Sequence, residues 1–454
     1  MISFEKIDKY SLRYAALFRY VRFIHRYVYH SNYDIVGKEN LPKKGEATLV
    51  ISNHQNGLMD ALGVLFTFRD DRQPVFIARA DIFKKETAAR LLRFMKIMPA
   101  FRTVDVTRSE VGKSAGIFLR AARVLIEGGT VAIFPEAGHE SCHHLGTFKK
   151  GFPRIAFKAA EESGYELDLK ILPMVNHYDN YLNFRQKKTM IIGKPFGFSE
   201  LYEIYKTKPN DAYLLLNEKC RPVIKEMMLD IEDLNYYDQY DTLRGLYCER
   251  LLKKRGKKIS YFPYHLAADK EIVNKLDEIK ETEPARFECL MNKAQHYQEG
   301  VRAFHLRDWV INKKVSLGEL ILKSVIMLLL FPLFLFGFIN NYLPFNASRL
   351  LTRKIKDHML YASFHMVIGA LIAFPLFYLL CWITVSLMTW NFWFGLIYVL
   401  VAFATLFVYY EYKISWIKLK ALWRYFFMGK NERMRQLKKM KKEMIAEMDG
   451  YLIN

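Results

Sequence analysis

Between Ile35 and about Phe198 the chain alternates short apolar, β-prone runs with stretches of helical periodicity. The strand candidates are 47–52, 75–78, 131–134, 169–175 and 188–192, and the helical stretches are 59–68, 86–95, 109–127 and 151–163. Such alternation predicts an α/β domain over 35–198, with a mainly parallel sheet flanked by helices. Ahead of it, Tyr14, Leu17, Phe18, Val21, Ile24 and Val28 recur at helical spacing with Arg13, Arg19, Arg22 and Arg26 between them, and His25 is the polar member of the stripe. Residues 1–34 are therefore expected to hold an amphipathic, membrane-associated helix; packing on the chain's own domain suits the stripe equally well.

From 199 to 314, dense charge with helical periodicity, as in Asn217 to Tyr237 and Glu271 to Lys280, predicts a helical accessory region. Beyond it, Ser324–Ser348 contains no Lys, Arg, Asp or Glu, and neither does Met359–Tyr410, a run of 52 residues. The second run is long enough for two spans of ~20 residues and a turn near Met388-Thr389-Trp390-Asn391, so 315–412 reads as a membrane region. The first run either spans or, broken near Pro332 or by Asn340, Asn341 and Pro344, dips in and returns. The positive-inside rule favours return. It leaves Lys313, Lys314, the connector with Arg349, Arg353, Lys354 and Lys356, and a basic tail over 413–454 with Lys438, Lys439, Lys441 and Lys442 all on the cytoplasmic side.

A formal charge of +21 over 454 residues admits an anionic membrane, a phosphorylated small molecule, an acidic carrier protein or nucleic acid as partner. The charge is spread over soluble and juxtamembrane segments without a nucleic-acid-binding motif, so no nucleic acid is expected. Cys142, Cys220, Cys248, Cys289 and Cys381 are scattered and form no CxxC, which suggests free thiols in a reducing compartment. Charges punctuate Met1 to Lys9, and no cleavable signal peptide is expected there.

The loop leaving Ala47–Ile51 reads Ser52-Asn53-His54-Gln55-Asn56-Gly57-Leu58-Met59-Asp60. Loops at the carboxyl ends of strands are where α/β proteins place their chemistry, and a histidine near a carboxylate suits a base held in one tautomer. On a regular helix, residues six apart differ by about 600°, or roughly 240° past a full turn, so His54 and Asp60 can meet only if the chain turns between them. Gly57 permits that turn. Farther on stand Arg102 after Met98-Pro99-Ala100-Phe101, then Glu136 in Phe134-Pro135-Glu136-Ala137-Gly138, then Lys149-Lys150-Gly151 at a helix start. These also read as an exposed arginine, a strand-ending turn and a solvated helix start. Arg102, Lys149 and Lys150 are nonetheless suited to holding a phosphate by charge-assisted hydrogen bonds. His139, His143 and His144, near Cys142, lack the second half of a tetrahedral zinc set, so no metal is expected.

Taken in order, Asn53-His54 with Asp60, Arg102, Phe134-Pro135-Glu136 and Pro173-Met174-Val175 resemble the four motifs of the membrane glycerolipid acyltransferases, the superfamily of glycerol-3-phosphate and 1-acylglycerol-3-phosphate acyltransferases. Val36-Gly37-Lys38-Glu39-Asn40-Leu41-Pro42 and Phe148-Lys149-Lys150-Gly151 extend the likeness, which covers roughly residues 30 to 198. Five residues separate His54 from Asp60 where four are usual, which resembles the branch of fungal-type glycerol-3-phosphate/dihydroxyacetone-phosphate acyltransferases. Ala137 stands where glycine is usual, and Gly138-His139 replaces threonine-arginine or glycine-serine.

The resemblance implies an integral membrane O-acyltransferase of phospholipid biosynthesis. It would move a fatty acyl group from acyl-CoA or acyl-carrier protein to a hydroxyl of glycerol 3-phosphate or 1-acylglycerol 3-phosphate, with no cofactor beyond that thioester co-substrate. His54 would take the hydroxyl's proton and Asp60 would orient the ring. Arg102, Glu136, Gly138, Lys149 and Lys150 would form the acceptor site, with the active site facing the cytoplasm. No serine or cysteine occupies a nucleophile elbow, so direct transfer is expected. The alternatives are acyl transfer to another lysolipid or an amino-acid lipid, and a non-catalytic membrane scaffold, which the joint presence of His54, Asp60, Arg102 and Glu136 disfavours.

Overall fold

The computed structural model describes residues 4–100, 108–136, 138, 140–352, 360–429 and 431–453. The chain divides into two compact units, Met1–Glu232 with Asp357–Ser363, and Asp233–Lys356 with Phe364–Asn454. The first is built on a sheet of β1 (His30–Val36), β2 (Thr48–Ser52), β3 (Val75–Arg79), β4 (Ile97–Ala100), β5 (Thr130–Ile133), β6 (Lys170–Tyr178) and β7 (Gln186–Ile192), in the order β1-β7-β6-β2-β5-β3-β4. Every pairing is parallel except β6 with β7. Its helices are α1 (Leu12–Phe23), α2 (Leu58–Leu65), α3 (Glu86–Phe94), α4 (Arg108–Ile126), α5 (Gly151–Glu162), α6 (Tyr202–Thr207) and α7 (Pro209–Met227).

The predicted strands and helices of the α/β region are present with ends within three residues of the apolar pattern. β1 and β4 are additional. His30-Ser31-Asn32-Tyr33-Asp34 is polar, and Ile97-Met98-Pro99-Ala100 is short and carries a proline; both strands lie at sheet edges, where such residues leave no central ladder bond unmade. Side chains alternate along each strand. Leu49, Ile51, Val131, Ile133, Ile171 and Val175 share one core with Ala122 and Leu125 of α4, Phe152 and Phe157 of α5, and Ala212, Leu216, Cys220 and Ile224 of α7. The α/β unit therefore ends at Glu232 rather than 198, because the charged text after 198 conceals an apolar stripe that covers the sheet.

The N-terminal stripe also belongs to this unit. Tyr14, Phe18, Val21, His25 and Val28 are buried and Leu17 and Ile24 half-buried, with the Phe18 and Phe66 ring centres 5.2 Å apart in an edge-to-face contact. Leu12, Tyr20, Phe23 and Tyr27 are exposed.

The remaining helices are α8 (Tyr237–Lys254), α9 (Phe262–Thr282), α10 (Pro284–Ala303), α11 (Leu317–Thr352), α12 (Tyr361–Ile368), α13 (Phe374–Thr389), α14 (Phe392–Met428) and α15 (Glu432–Leu452). Of the expected basic tail over 413–454, the first part is the end of α14 and the rest is α15, a helix in contact with α8, α9 and α10. Met434, Leu437, Met444 and Met448 are buried along it, and Lys441 donates to Asp308 at 2.8 Å. The lysines dominate the text, but the apolar residues at helical spacing decide the packing.

Leu317–Ala347, Tyr361–Thr389 and Phe392–Met428 are long and apolar enough to cross a membrane. The run of α11 continues through Pro332. Up to Asn341 its contacts with α14 keep antiparallel register: Ser324 meets Trp423, a Cβ on Gly337 would touch Thr405, and Asn341 donates to the Ala402 carbonyl. In a straight helix Phe345 would lie about 6 Å farther along. Instead its ring packs on Tyr409, Tyr410 and His365, so the helix departs from straight near the Asn340–Pro344 step while running on to Thr352. Pro344 has no N–H for the Asn340 carbonyl, and the Asn340 and Asn341 amides donate to the carbonyls of Phe336 and Gly337.

Candidate active site

β2 lies between β5 and β6 in the sheet, with Ile51 opposite Ile133 and Ser52 opposite Met174. That register brings the loop after β2, the turn after β5 and the last residues of β6 to one end of the sheet, so distant stretches of sequence meet there. Asn53 ties two of them together. Its side-chain amide donates to the Asn176 carbonyl at 3.0 Å and its Oδ1 accepts from the Asn176 N–H at 2.8 Å, extending the β2–β6 ladder by one side chain.

Gly57 adopts φ +48°, and α2 starts at the next residue. Asp60 therefore sits in the first turn of α2, fully buried, and faces back onto its own loop. Its Oδ2 lies 3.0 Å from His54 Nδ1 and accepts the N–H groups of Gln55 at 2.7 Å and Asn56 at 2.6 Å. Its Oδ1 accepts the Tyr178 hydroxyl at 2.8 Å. Burial pushes the Asp60 carboxyl up, but the bond to His54, the charges of His54 and Lys188 and the backbone N–H groups outweigh it and hold the group below the usual range. With Nδ1 donating to Asp60, Nε2 is the proton-accepting nitrogen of His54. Phe134 stacks on the ring at 4.2 Å and 18°, fixing its plane.

Glu136 accepts the N–H of His54 and that of Gly146, each at 2.7 Å, one on each carboxylate oxygen. Burial raises its carboxyl to about 7, against the pull of those two N–H groups. It thus fixes the backbone of His54 and of the segment that follows the third motif. Lys149 is exposed and its N–H donates to the Pro135 carbonyl at 2.8 Å; Lys150 immediately precedes α5; Gly138 is exposed. Arg102, Ala137 and His139 lie outside the described residues.

His143 meets the Tyr181 hydroxyl at 2.9 Å and His144 the Ile231 carbonyl at 3.1 Å. Among the described residues no group of His, Cys, Asp and Glu is placed to hold a metal ion. Tyr181 also donates to Gln55 at 3.2 Å, and Lys188 donates to Tyr178 at 2.7 Å. Sequence reasoning missed Asn176, Tyr178 and Lys188. The available signal was slight: Asn176 and Tyr178 end an otherwise apolar strand, while Lys188 stands in a run of four polar residues, Gln186-Lys187-Lys188-Thr189.

The acyltransferase family model matches residues 32–176. A probable 1-acyl-sn-glycerol-3-phosphate acyltransferase of Mycoplasma pneumoniae is 29% identical over 126 residues, which is 28% of this chain and 44% of that protein. The 1-acyl-sn-glycerol-3-phosphate acyltransferase of Borreliella burgdorferi is 27% identical over 124 residues, 27% of this chain and 46% of that protein. The chain thus spans less than half the length of these curated relatives. Among solved structures, the 1-acyl-sn-glycerophosphate acyltransferase PlsC of Thermotoga maritima aligns over 47% of this chain and 79% of its own, at 19% identity and a TM-score of 0.33. Residues 32–176, which carry the His54–Asp60 dyad and the ordered motifs around it, are thus the part of this chain that is similar to the acyltransferase family and to the two named 1-acyl-sn-glycerol-3-phosphate acyltransferases.

Proposed function

We propose that this protein acylates 1-acylglycerol 3-phosphate, taking a fatty acyl group from an acyl thioester, acyl-CoA or acyl-carrier protein, at a membrane surface. The single observation that carries the reading is the dyad: His54 held by a fully buried Asp60 at 3.0 Å, at the carboxyl end of β2. As the acceptor hydroxyl oxygen attacks the thioester carbonyl carbon, Nε2 of His54 takes its proton, and Asp60 stabilises the imidazolium. Collapse of the tetrahedral intermediate breaks the carbon–sulfur bond, and the imidazolium returns the proton to the departing thiolate. Ester and free thiol are the products, and no acyl-enzyme is required. The names of the relatives support the acceptor. Glycerol 3-phosphate is the second reading, favoured by the five residues between His54 and Asp60.

Arg102, Lys149 and Lys150 would hold the acceptor phosphate, with Gly138 beside them and Glu136 holding the loop in place. The membrane helices would keep this site at the cytoplasmic face, where acyl thioesters are made. The test is free-thiol release by the purified, detergent-solubilised protein offered each carrier with each acceptor, with the lipid product identified. Thiol release that requires 1-acylglycerol 3-phosphate supports the reading; release without any acceptor, or none with any, overturns it. In the same assay Arg102→Ala should weaken acceptor affinity by about 10–150-fold, equivalent to a lost charge-assisted contact of roughly 1.5–3 kcal/mol, and leave the thioester's affinity unchanged.

A further inference from the structure

A charged side chain is buried behind the dyad. Lys188 on β7 is 0% exposed, between cross-strand neighbours Tyr33 on β1 and Tyr178 on β6. Its Nζ lies 4.5 Å from the centre of the Tyr178 ring and 5.9 Å from that of Tyr33. It donates to the Tyr178 hydroxyl at 2.7 Å and to the Met59 carbonyl at 2.9 Å. Tyr178 in turn donates to Asp60 Oδ1 at 2.8 Å, and Asp60 Oδ2 holds His54 Nδ1 at 3.0 Å. Gly63 of α2 makes room for the amine: a Cβ there would collide with Lys188 Nζ and Asn176 Oδ1. Positions on α2, β6 and β7 are therefore shaped around one ammonium group.

Packing does not account for it. Burying an ammonium costs several kcal/mol unless it is paired, and methionine would fill a similar volume without that cost. The groups facing Lys188 are Asp60 and the Met59 carbonyl on α2, Tyr178 and Asn176 on β6, Tyr33 on β1, and the imidazoles of His25 and His30 where the chain enters β1. Burial holds both imidazoles neutral, His30 being lowered to about 3, so Asp60 supplies the negative charge among these groups.

We propose that Lys188 and Tyr178 are a positioning pair that sets, through Asp60, how readily His54 accepts a proton. The inference rests on His54 being the base of the proposed reaction. A positive charge one hydroxyl away weakens the carboxylate's hold on the imidazolium, and the hydroxyl itself occupies one carboxylate oxygen. Removing either leaves Asp60 to hold the imidazolium more strongly and makes His54 a better proton acceptor that gives the proton up less easily. Burial draws Lys188 down to about 7, with the Asp60 charge opposing.

The test is an NMR titration of full-length, detergent-solubilised protein carrying histidine labelled at ring carbon Cε1, with the His54 signal identified by its loss in His54→Ala. Lys188→Met and Tyr178→Phe should each raise the His54 midpoint by about one pH unit, the size expected for losing a nearby charge or a carboxylate hydrogen bond. The acidic limb of kcat/KM should move up with it, while KM for the thioester stays constant. A folded variant that keeps the wild-type midpoint, even with a lowered melting temperature, overturns the proposal and makes Lys188 merely structural. If Lys188→Met does not fold, Tyr178→Phe, which keeps the ring, decides alone. The titration needs no turnover, so a wild-type protein without acyl transfer would sink the acyltransferase reading separately.

Discussion

The contacts that hold His54 include the buried Asp60 carboxylate at Nδ1, the Phe134 ring against its face, and Glu136 on its backbone N–H. His54→Ala removes the base while the Asp60, Phe134 and Glu136 side chains remain, so transfer should fall by about 10²–10⁴-fold in a protein that still folds. A folded variant with near-normal thiol release would remove His54 from the mechanism. Glu136 allows a prediction of opposite character, about stability. Its carboxyl is raised from 4.5 to about 7, so between those values the folded chain binds more protons at this group than the unfolded chain does. The stability it contributes is present below about 4.5 and is lost as pH rises through about 7. Glu136→Gln cannot titrate, and its melting temperature should fall less steeply than wild type from pH 5 to pH 8; parallel curves would show that the group carries no such linkage.

At the scale of elements, charge along the sequence hid two helices that pack. α7 lies under text rich in lysine and glutamate yet supplies four residues to the sheet core, and α15 lies under a lysine cluster yet buries a methionine-rich face. Met448 is fully buried there. Met448→Ala should destabilise the helical unit by about 2–5 kcal/mol, the usual loss for emptying a buried Met site, and urea unfolding followed by a reporter on α8 to α10 would measure it. A variant with the wild-type midpoint would show α15 to be detached in solution. β1 and β4 went unread for the converse reason. Edge strands tolerate polar residues and proline, so they lack the apolar run that marks a central strand.

For the whole molecule, the path of α11 would decide which side of a membrane each basic segment occupies, since Leu317–Ala347 is itself long and apolar enough to cross. A return at Asn340–Pro344 is the expectation from the charges: it would put Lys313, Lys314, the connector around Arg349 and the lysines of 438–442 on one side of the membrane and the turn at Trp390 on the other. That arrangement satisfies the positive-inside rule. In intact cells, a cysteine at Ser348 on a background lacking the native thiols should resist a membrane-impermeant thiol reagent and react only after permeabilisation. Labelling from outside would mean that α11 crosses fully, giving three spans and placing the connector outside.

The sequence by itself determined the central strands, the helices and the motif order. Strand and helix periodicity follow from which residues must leave water, and the charge-free runs follow from what a bilayer excludes, so both are written locally. The His54–Asp60 pair was legible because both residues lie in one loop with Gly57 between them. Tertiary structure decided what stands behind that pair. Lys188 and Tyr178 come from strands more than a hundred residues away, and they reach Asp60 only because β7 turns antiparallel on β6 and Gly63 leaves the space. A buried lysine in a strand reads, in sequence, like any solvated one; only the fold shows that its charge is answered by the carboxylate that holds the histidine.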